Sequence, residues 1–342
     1  GCVEPRLNVK ICNGAKASSR RLPVGAATIF FTSGTTGTPK GVLGSHHSLS
    51  HFVAWQRVEF GVEPGDRVAQ VTGITFDVML REIFLPLTSG ASLCLPGECL
   101  DEGSEFWRWL DDQKITILHS VPSRLELWLA ALPDGLSLHS IRCLFMAGEP
   151  LTDVLVKRFR EACSGEVVNL YGPTETTLAK LWYLVPPCGE LRQGVQPLGM
   201  PLPQTQALIL SEGNRLCGVG ELGEIVLRTP FLALGYLRSE ANQPVFFQNP
   251  FGVDGDEWLY RTGDYGRYLP DGQVQIVGRR DDQVKIRGVR VEPAEVSAAL
   301  RTEAGVAQCY VGTVDDEETG LQLVAWVVLE KGSGTTGRML RQ

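Results

Sequence analysis

Short apolar runs alternate with amphipathic segments over residues 26–171, and this alternation predicts strands separated by helices. The apolar runs are short and rich in β-strand formers, whereas the other segments carry apolar residues three and four positions apart. A β–α–β order predicts a mostly parallel sheet covered by helices, which binds ligands beyond the carboxyl ends of its strands. The predicted strands lie at 27–31, 68–71, 91–95, 115–118, 143–146 and 167–170, and predicted helices include 106–113 and 154–162.

The pattern changes after the proline-rich segment 197–203, where strands and turns follow one another. Strands predicted at 207–210, 224–228 and 273–278 indicate a small β-barrel-like subdomain. A strand at 284–291, a helix at 293–303 and strands at 306–314 and 321–329 then indicate an α+β unit. The predicted domains are an α/β portion at 1–203, a β subdomain at 204–280 and an α+β unit at 281–342.

Composition narrows the classes of function. The 342 residues are 43% hydrophobic and 21% charged, which is typical of a globular protein and excludes extensive disorder. The net charge of −7 argues against nucleic acid or an anionic membrane as the main partner. No apolar run approaches the roughly 18–20 residues that span a bilayer, and no signal peptide is evident, so we expect a cytoplasmic protein. Because the chain begins with Gly1 instead of Met, we expect it to be a stretch of a longer protein.

Cysteine and histidine spacing gives no sign of a metal site. The nine cysteines include no C-x-x-C pair, which favours reduced, structural thiols over a disulfide framework or a zinc site. His47 and His51 are four residues apart, but no Glu completes an H-E-x-x-H motif. These two histidines are therefore predicted to pack on a helix.

A loop rich in glycine and hydroxyl groups follows the first predicted strand directly, with the sequence TSGTTGTPKG at 32–41. Glycines allow close backbone approach, N–H groups and hydroxyls bind anions, and Lys40 adds a positive charge, so the loop predicts a phosphate site. It is not a Walker A loop, because Pro39 precedes the lysine and Gly41 stands where Ser or Thr is required. The alternative is a plain Ser/Gly-rich surface loop.

The loop resembles the signature of the adenylate-forming superfamily, and within it the adenylation domains of non-ribosomal peptide synthetases. Further segments similar to motifs of that family follow in the same order along the chain. They are NLYGPTETT at 169–177, GELGEI at 220–225, YRTGD at 260–264 and GRRDDQVKIRG at 278–288. The resemblance covers residues 27–330, and five collinear motifs leave little room for coincidence.

The resemblance implies an ATP-dependent acid-thiol ligase. In that family a carboxylate attacks the α-phosphate of ATP, pyrophosphate leaves, and the acyl group passes to a phosphopantetheine thiol on a carrier protein. ATP, Mg²⁺ and phosphopantetheine are thus the implied cofactors. An α-amino acid, a carrier protein domain and neighbouring synthetase domains are the implied substrate and partners, in secondary metabolite biosynthesis. The protein mainly positions reactants and offsets negative charge in such a reaction.

The resemblance also assigns nucleotide-binding roles to individual residues. The phosphates are expected to contact Thr32, Ser33, Gly34, Thr35, Thr36, Gly37 and Lys40. The base is expected to contact Tyr171 by stacking, Asn169 at its edge, and the backbone near Gly148, Glu149 and Gly172. Thr174 is expected at the α-phosphate, Glu175 at Mg²⁺, and Asp264 with Arg279 at the ribose. Taken without their motifs, Tyr171 would be interpreted as an aromatic residue of the core and Asp264 as a residue of a turn.

Thr36, Lys40, Thr174 and Asp281 form the expected catalytic set. Asp281 resembles the hinge about which the family's C-terminal lid rotates, although an ordinary linker is the alternative. The lid is expected to be truncated, because the motif with its bridging lysine is not reached by residue 342, and the family's N-terminal subdomain is expected to be incomplete. Ile276 stands where relatives often carry an aromatic residue. We therefore expect weak nucleotide binding. Lys285, Arg287 and Arg290 are predicted on a solvated strand face, not in a nucleic-acid patch.

Segment 74–84 resembles the part of the substrate pocket whose aspartate pairs with the α-ammonium of an amino acid. Asp77 takes that position, and a substrate without the amine would leave its charge unpaired. The other pocket positions implied are Val78, Arg81, His119, Phe145, Ala147, Leu170, Leu178 and Ala179. Arg81 with His119 resembles the pocket of aminoadipate reductases and predicts an acidic or hydrogen-bond-accepting side chain, with aminoadipate and glutamate as leading candidates. An ion pair of Arg81 with Glu82 or a nearby Asp is the alternative.

Two other functions stay open at this point. The first is the adenylation domain of a carboxylate reductase of the aminoadipate type. The second is a nucleotide-binding module without catalysis, because the lid lysine is not reached.

Overall fold

The computed structural model describes residues 23–33, 39–97, 103–238, 245–252, 257–279, 284–286, 289–316, 320–330 and 333–341. The expectations for Gly34, Thr35, Thr36, Gly37 and Asp281 lie outside the described residues.

The helices and strands follow the predicted order closely. The strands are β1 (Ala26–Thr32), β2 (Lys40–Ser45), β3 (Arg67–Ala69), β4 (Ser92–Cys94), β5 (Ile117–Ser120), β6 (Cys143–Ala147), β7 (Glu166–Tyr171), β8 (Leu181–Leu184), β9 (Met200–Pro201), β10 (Gln206–Leu210), β11 (Gly223–Arg228), β12 (Phe246–Gln248), β13 (Trp258–Tyr268), β14 (Val274–Arg279), β15 (Val284–Ile286), β16 (Val289–Val291), β17 (Val306–Asp316) and β18 (Gly320–Leu329). The helices are α1 (His46–Glu59), α2 (Met79–Ser89), α3 (Ser104–Asp112), α4 (Pro122–Ala130), α5 (Asp153–Ala162) and α6 (Pro293–Thr302).

A seven-stranded sheet forms the centre of the α/β portion, in the order β4-β3-β5-β6-β7-β8-β9. The pairs from β4 through β7 are parallel, and β8 and β9 add antiparallel strands at one edge. The predicted mostly parallel sheet is therefore confirmed, except that the strand predicted at 27–31 lies outside it: β1 pairs antiparallel with β2 in a separate two-stranded sheet. The parallel strands of the seven-stranded sheet end together at one edge, where sheets of this kind bind ligands.

Both faces of this sheet are covered by helices, and its central strands β5, β6 and β7 are buried at almost every position. Successive residues of a strand point to opposite faces. Leu118, Leu144 and Met146 belong to a buried cluster with side chains of α3, α4 and α5. Phe145 and Val168 belong to a second cluster with side chains of α1 and α2. The face toward α1 and α2 also carries the specific side chains of the site described below.

Helix ends are fixed by local sequence. Ser45 and Thr152 precede α1 and α5, and their hydroxyl groups accept hydrogen bonds from the N–H groups of Ser48 and Leu155. Helix α2 ends at Gly90, which adopts a left-handed conformation with φ of 73°. His51 lies on α1 and stacks on Phe231 with ring centroids 3.6 Å apart, so the predicted helix packing of this histidine is confirmed.

The β subdomain is a five-stranded antiparallel sheet. Strands β10, β11, β13 and β12 follow one another, and β14 also pairs with β13. Among the described residues these pairings form an open sheet without a closing pair, so a barrel is not confirmed. Val274 of β14 donates its N–H to Gly199 and joins this sheet to the α/β portion.

The predicted strand at 284–291 is wrong, because this segment forms two strands. Val284 of β15 pairs with Val291 of β16, and Ile286 pairs with Val289, in antiparallel register. Apolar and basic residues alternate on both sides of the reversal, and the break in this alternation at Gly288 is the one sign of it in the sequence. Helix α6 and the β17–β18 hairpin follow as predicted.

Alanine at Gly199 is expected to destabilise the junction between the two sheets. Gly199 has a φ of 81°, and an added Cβ would lie 2.0 Å from the carbonyl oxygen of Trp182. A strained left-handed residue costs about 1–3 kcal/mol before the clash is added. Thermal unfolding should therefore show a lower midpoint for Gly199→Ala. Gly189→Ala is the control, since nothing lies within 4 Å of its added Cβ. Equal midpoints for the two variants would contradict the expected strain.

Candidate active site

One cavity of about 240 Å³ opens at the carboxyl ends of the parallel strands. Its walls come from the ends of β1, β5, β6 and β7, from α2 and the segment before it, and from β13, β14, β15 and β16. The lining includes Phe30, Phe31, Thr32, Ser33, Thr72, Gly73, Thr75, Phe76, Asp77, Val78, Arg81, His119, Ser120, Val121, Arg124, Ala147, Gly148, Gly172, Pro173, Thr174, Leu178, Ala179, Thr262, Arg279, Lys285 and Val289. Residues from four of the five sequence motifs, together with segment 74–84, thus meet in one place, and the motif at 220–225 contributes no lining residue.

Asp77 presents a carboxylate to this cavity from the segment before α2. The carboxylate accepts hydrogen bonds from the Thr174 side chain and the Val78 N–H group. Burial is the main influence on the pKa of Asp77 and raises it, and the nearby Glu175 carboxylate acts in the same direction. Thr174 and Arg81 oppose this rise. A cationic group placed beside Asp77 would therefore offset an unfavourable buried negative charge.

Arg81 brings a buried guanidinium group to the same cavity. Its side chain is 1% exposed, and its Nε and Nη2 atoms have no hydrogen-bond partner among the described residues. Burial lowers the pKa of Arg81 to about 10, so the group stays charged at neutral pH. The adjacent Glu82 instead accepts hydrogen bonds from the N–H and hydroxyl groups of Thr72. No ion pair of Arg81 with Glu82 or Asp77 is present in the described part of the chain.

His119 completes the polar part of this wall. It is fully buried on β5, its ring stacks on Phe145 with centroids 5.0 Å apart, and its Nε2 atom lies 3.1 Å from the amide nitrogen of Gln56. Burial and the nearby Arg81 charge hold the pKa of His119 well below its usual value, so the ring is neutral. With the amide donating to Nε2, the proton lies on Nδ1, which has no partner among the described residues.

A second group of polar side chains lies at the junction with the β subdomain. The Tyr171 hydroxyl donates to the Asp264 carboxylate at 2.5 Å, and the Arg279 guanidinium donates to its other oxygen at 2.7 Å. Burial and the Asp264 charge raise the pKa of Tyr171 well above its usual value, so the hydroxyl keeps its proton. Tyr171 and Asp264, expected at the base and the ribose of one nucleotide, are therefore in direct contact, and their roles in nucleotide binding stay predictions. Arg279 lines the cavity, whereas Tyr171 and Asp264 lie behind it.

The N-terminal end of the predicted phosphate loop lies at the cavity. Thr32 and Ser33 line it, and their buried hydroxyl oxygens have no partner among the described residues. Lys40 lies at the start of β2, with its ammonium 5.6 Å from the centre of the Tyr236 ring. Unpaired buried hydroxyls next to a cavity are suited to the oxygens of a phosphate group.

Glu175 is the residue expected to bind Mg²⁺. It is 1% exposed, and its carboxylate accepts a hydrogen bond from the Tyr236 hydroxyl at 2.7 Å. The described residues contain no group of three or more His, Cys, Asp or Glu side chains placed to hold a metal. A single carboxylate still fits Mg²⁺, which in nucleotide sites uses one or two carboxylates together with phosphate oxygens and water.

Several expected site residues do not line the cavity. Asn169 is buried and donates its amide to the Pro197 carbonyl at 2.8 Å. Glu149 accepts two hydrogen bonds from Ser123, through its N–H and hydroxyl groups. Phe145 and Leu170 are buried behind the lining and support His119, Leu178 and Ala179. The roles expected for these four residues in ligand binding stay predictions.

Gly172 explains how the chain returns along the cavity wall after β7. A Cβ on Gly172 would lie 2.4 Å from the Leu178 carbonyl oxygen and 2.9 Å from the Lys180 nitrogen. Only glycine lets segment 178–180 pass this closely. Sequence reasoning missed Lys180, Arg124 and Tyr236. The one available signal was a lysine within the apolar run Leu178-Ala179-Lys180-Leu181-Trp182.

Lys180 is expected to make stability depend on pH. Burial lowers its pKa from 10.5 to about 7 in the folded protein. Between these values the unfolded chain binds more protons, so the free energy of unfolding should rise with pH, by at most about 1.4 kcal/mol per pH unit. Denaturant unfolding of the native protein and of Lys180→Met is measured between these two pH values. The difference between their free energies of unfolding isolates the contribution of Lys180. If this difference in free energy does not change with pH, the pKa of Lys180 is that of an ordinary lysine.

Comparison with known proteins decides the family. A family model described as AMP-binding enzyme matches residues 12–237, which is more than half of the chain. The chain belongs to the AMP-binding enzyme family. The family expected from the five motifs is thereby confirmed, and the fold of this family member agrees with it.

Its relatives include large synthetases. The chain is 37% identical over 308 residues to tyrocidine synthase 3 of Brevibacillus parabrevis, covering 89% of this chain and 5% of the relative. It is 34% identical over 336 residues to L-2-aminoadipate reductase of Schizosaccharomyces pombe, covering 90% of this chain and 24% of the relative. This family member therefore spans a small part of the length of these relatives.

Solved structures show the same fold. The chain matches the Vibrio cholerae adenylation domain AlmE, solved with glycyl-adenosine-5'-phosphate, at 29% identity and a TM-score of 0.81 over 92% of this chain and 59% of that one. It matches an artificially fused adenylation and carrier di-domain, NpsA-ThdA from Klebsiella oxytoca, at 26% identity and a TM-score of 0.79 over 93% and 64%. In the described part of the chain, no helix is long and apolar enough to cross a membrane.

Proposed function

We propose that this AMP-binding enzyme activates an α-amino acid as its aminoacyl-adenylate and transfers the aminoacyl group to a phosphopantetheine thiol of a carrier protein. One observation carries the proposal: Asp77 and the buried, unpaired Arg81 share a single cavity with Thr32, Ser33 and Arg279. The cavity therefore offers an anion for an ammonium, a cation for a second substrate group, and a phosphate-binding rim. The glycyl-adenosine-5'-phosphate bound to AlmE supports this assignment.

The reaction places the substrate carboxylate at the α-phosphate of ATP. A carboxylate oxygen forms a bond to the α-phosphorus, the bond from that phosphorus to the bridging oxygen breaks, and pyrophosphate leaves. Asp77 orients the amino acid through its ammonium, and the hydroxyl of Thr174, which donates to Asp77, lies near the reacting groups. The protein mainly positions charges, so no side chain needs to act as a nucleophile.

Nucleotide binding follows from the remaining groups. Thr32 and Ser33, with Lys40 and the glycine-rich residues between them, are proposed to hold the β- and γ-phosphates. Asp264 is proposed to accept from the ribose hydroxyls, with Tyr171 and Arg279 keeping the carboxylate in place. Glu175 is the proposed protein ligand of Mg²⁺, which would neutralise phosphate charge when bound.

The substrate side chain is proposed to be acidic. A buried guanidinium needs a partner, and the apolar lining residues Val78, Ala147, Leu178 and Ala179 supply none. The neutral His119 adds a further hydrogen-bonding nitrogen at the same wall. Aminoadipate and glutamate carry a second carboxylate that could pair with Arg81 in a charge-assisted hydrogen bond.

The domain organisation is also part of the proposal. We divide the chain into an α/β core portion at 1–203, a β subdomain at 204–280, which we propose curls toward a barrel, and a lid portion at 281–342 with Asp281 as the hinge. Lys285 and Val289 from the last portion line the cavity, as a lid over the site requires. We propose that the protein acts in the cytoplasm, where it would bind ATP and contact carrier proteins and neighbouring synthetase domains.

A second candidate is the adenylation step of a carboxylate reductase. The 34% identity to L-2-aminoadipate reductase and the Arg81–His119 wall favour it. Both functions share the adenylate and the thioester, and they differ in the fate of the thioester. An aldehyde formed from the carrier-bound substrate with a nicotinamide cofactor would favour the reductase.

Amino-acid-dependent exchange of labelled pyrophosphate into ATP tests the proposal on the intact protein. A panel of aminoadipate, glutamate, leucine and phenylalanine, each compared with its 2-hydroxy analogue, separates ammonium recognition from side-chain recognition. We expect exchange with the acidic amino acids and little with hydroxy acids. ATP binding without exchange for any member would favour a nucleotide-binding module.

A further inference from the structure

Lys180 is a buried amine directly behind the proposed amino-acid pocket. The residue is fully buried, and it follows the lining residues Leu178 and Ala179. Its Nζ atom donates to the Thr177 carbonyl at 3.1 Å and lies 3.4 Å from the Ala179 carbonyl. The described residues provide no carboxylate as an ion-pair partner for this amine. Lys180 therefore acts on the backbone of the cavity wall.

That backbone is strained. Thr177 and Leu178 are successive non-glycine residues with φ angles of 62° and 60°, in the left-handed region that side chains disfavour. The surrounding structure must hold such a pair in place. Two features do so: the close passage over Gly172, and the contacts of Lys180 with the carbonyl groups on either side of Leu178.

The strained pair fixes one side of the cavity. Leu178 and Ala179 line the same cavity as Asp77 and Arg81. A lysine is a costly residue to bury, because burial alone lowers its pKa to about 7. An apolar side chain at this position would avoid that cost but could not donate to the two carbonyl groups.

Resting on the proposed function, we infer that Lys180 is a positioning residue that holds the Thr177-Leu178 turn and thereby sets the shape of the amino-acid side-chain pocket. It does not touch the substrate. The nucleotide groups Thr32, Ser33 and Arg279 belong to other elements. Thr174 and Glu175 directly precede the turn, and the Thr177 N–H group donates to the Thr174 carbonyl, so we expect a larger effect on the amino acid than on ATP, not an effect on the amino acid alone.

Pyrophosphate exchange with Lys180→Met tests this inference on the intact protein. Methionine has a similar length but cannot donate to the carbonyl groups. We expect the KM for the preferred amino acid to rise by about tenfold, equivalent to about 1.4 kcal/mol, while the KM for ATP changes by less than about twofold. Lys180→Gln retains an N–H donor and should recover part of the loss.

Lys157→Met is the matched control, because Lys157 is half-exposed and pairs with Asp153 on α5. A folded Lys180→Met with an unchanged KM for the amino acid would overturn the inference, and so would an equal rise in both KM values. If Lys180→Met fails to fold, Lys180→Gln supplies the same comparison of the two KM values. Absence of exchange by the native protein would overturn the proposed function, and this inference with it.

Discussion

Replacement of Asp77 by asparagine is expected to lower kcat/KM for the amino acid by roughly 100–4,000-fold, with little change in ATP binding. The change leaves the substrate ammonium without a counter-charge in a buried site, and loss of one partner of such a pair costs about 3–5 kcal/mol. Pyrophosphate exchange at varied amino acid concentration measures the effect. Asp134→Asn is the control, since Asp134 is exposed and remote from the cavity lining.

The native protein should also show the ionisation of Asp77 in its pH profile. Burial raises the pKa of this carboxyl, and only the ionised form pairs with an ammonium. The KM for the amino acid should therefore fall as pH rises through the raised pKa. Activity of Asp77→Asn close to that of the native protein, with an unchanged pH profile, would remove Asp77 from substrate recognition.

Replacement of Arg81 by leucine is expected to change which amino acid is preferred. A charge-assisted hydrogen bond contributes about 1.5–3 kcal/mol, so the preference for acidic over apolar amino acids should fall by roughly 10–100-fold. The variant should keep its thermal stability, because it replaces a buried and unpaired charge with an apolar side chain. The exchange panel and a thermal melt measure both effects.

Arg108→Leu serves as the control for this change, since Arg108 is an exposed residue of α3. A native preference for leucine or phenylalanine would contradict the acidic-substrate proposal. So would a ranking of substrates that Arg81→Leu leaves as it was. Either result would indicate that Arg81 has a structural role and does not select the substrate.

Local patterns were enough to predict the parallel sheet and its edge. Strand β6 is apolar at every position because helices cover both faces of the sheet, and that pattern is visible in the sequence. Segment 284–291 was predicted as one strand because apolar and basic residues alternate on both sides of the reversal between β15 and β16. The alternation breaks at Gly288, but a single glycine within a strand pattern is also typical of a bulge, so it does not by itself predict a reversal. Closure of the β subdomain depends on contacts between strands that are distant in the sequence. Hydrophobic periodicity and turn residues do not reveal such contacts.

The site residues that belong to recognisable motifs could be predicted. Properties that depend on contacts with residues distant in the sequence could not. Asp77, Arg81 and His119 were expected together, and they line one cavity. Their ionisation could not be predicted, because it depends on burial and on which neighbours are already paired. Thr174 illustrates this: its hydrogen bond to Asp77 joins two segments nearly a hundred positions apart.

Buried residues outside the motifs were beyond sequence reasoning. Tyr236 links the Lys40 ammonium to the Glu175 carboxylate, and nothing in its local sequence indicates that role. Asn169 lies within a motif, yet its amide is used by the Pro197 carbonyl. A motif identifies which residues occur together, and packing decides which of them face the ligand.

The most direct test of amino acid adenylation tracks one oxygen atom. The intact protein is incubated with ATP, hydroxylamine as acceptor, and an acidic amino acid labelled with ¹⁸O in its α-carboxylate. If that carboxylate attacks the α-phosphate, release of the aminoacyl group leaves one labelled oxygen in AMP, which mass spectrometry detects. Unlabelled AMP, or ADP as the only nucleotide product, would contradict the account.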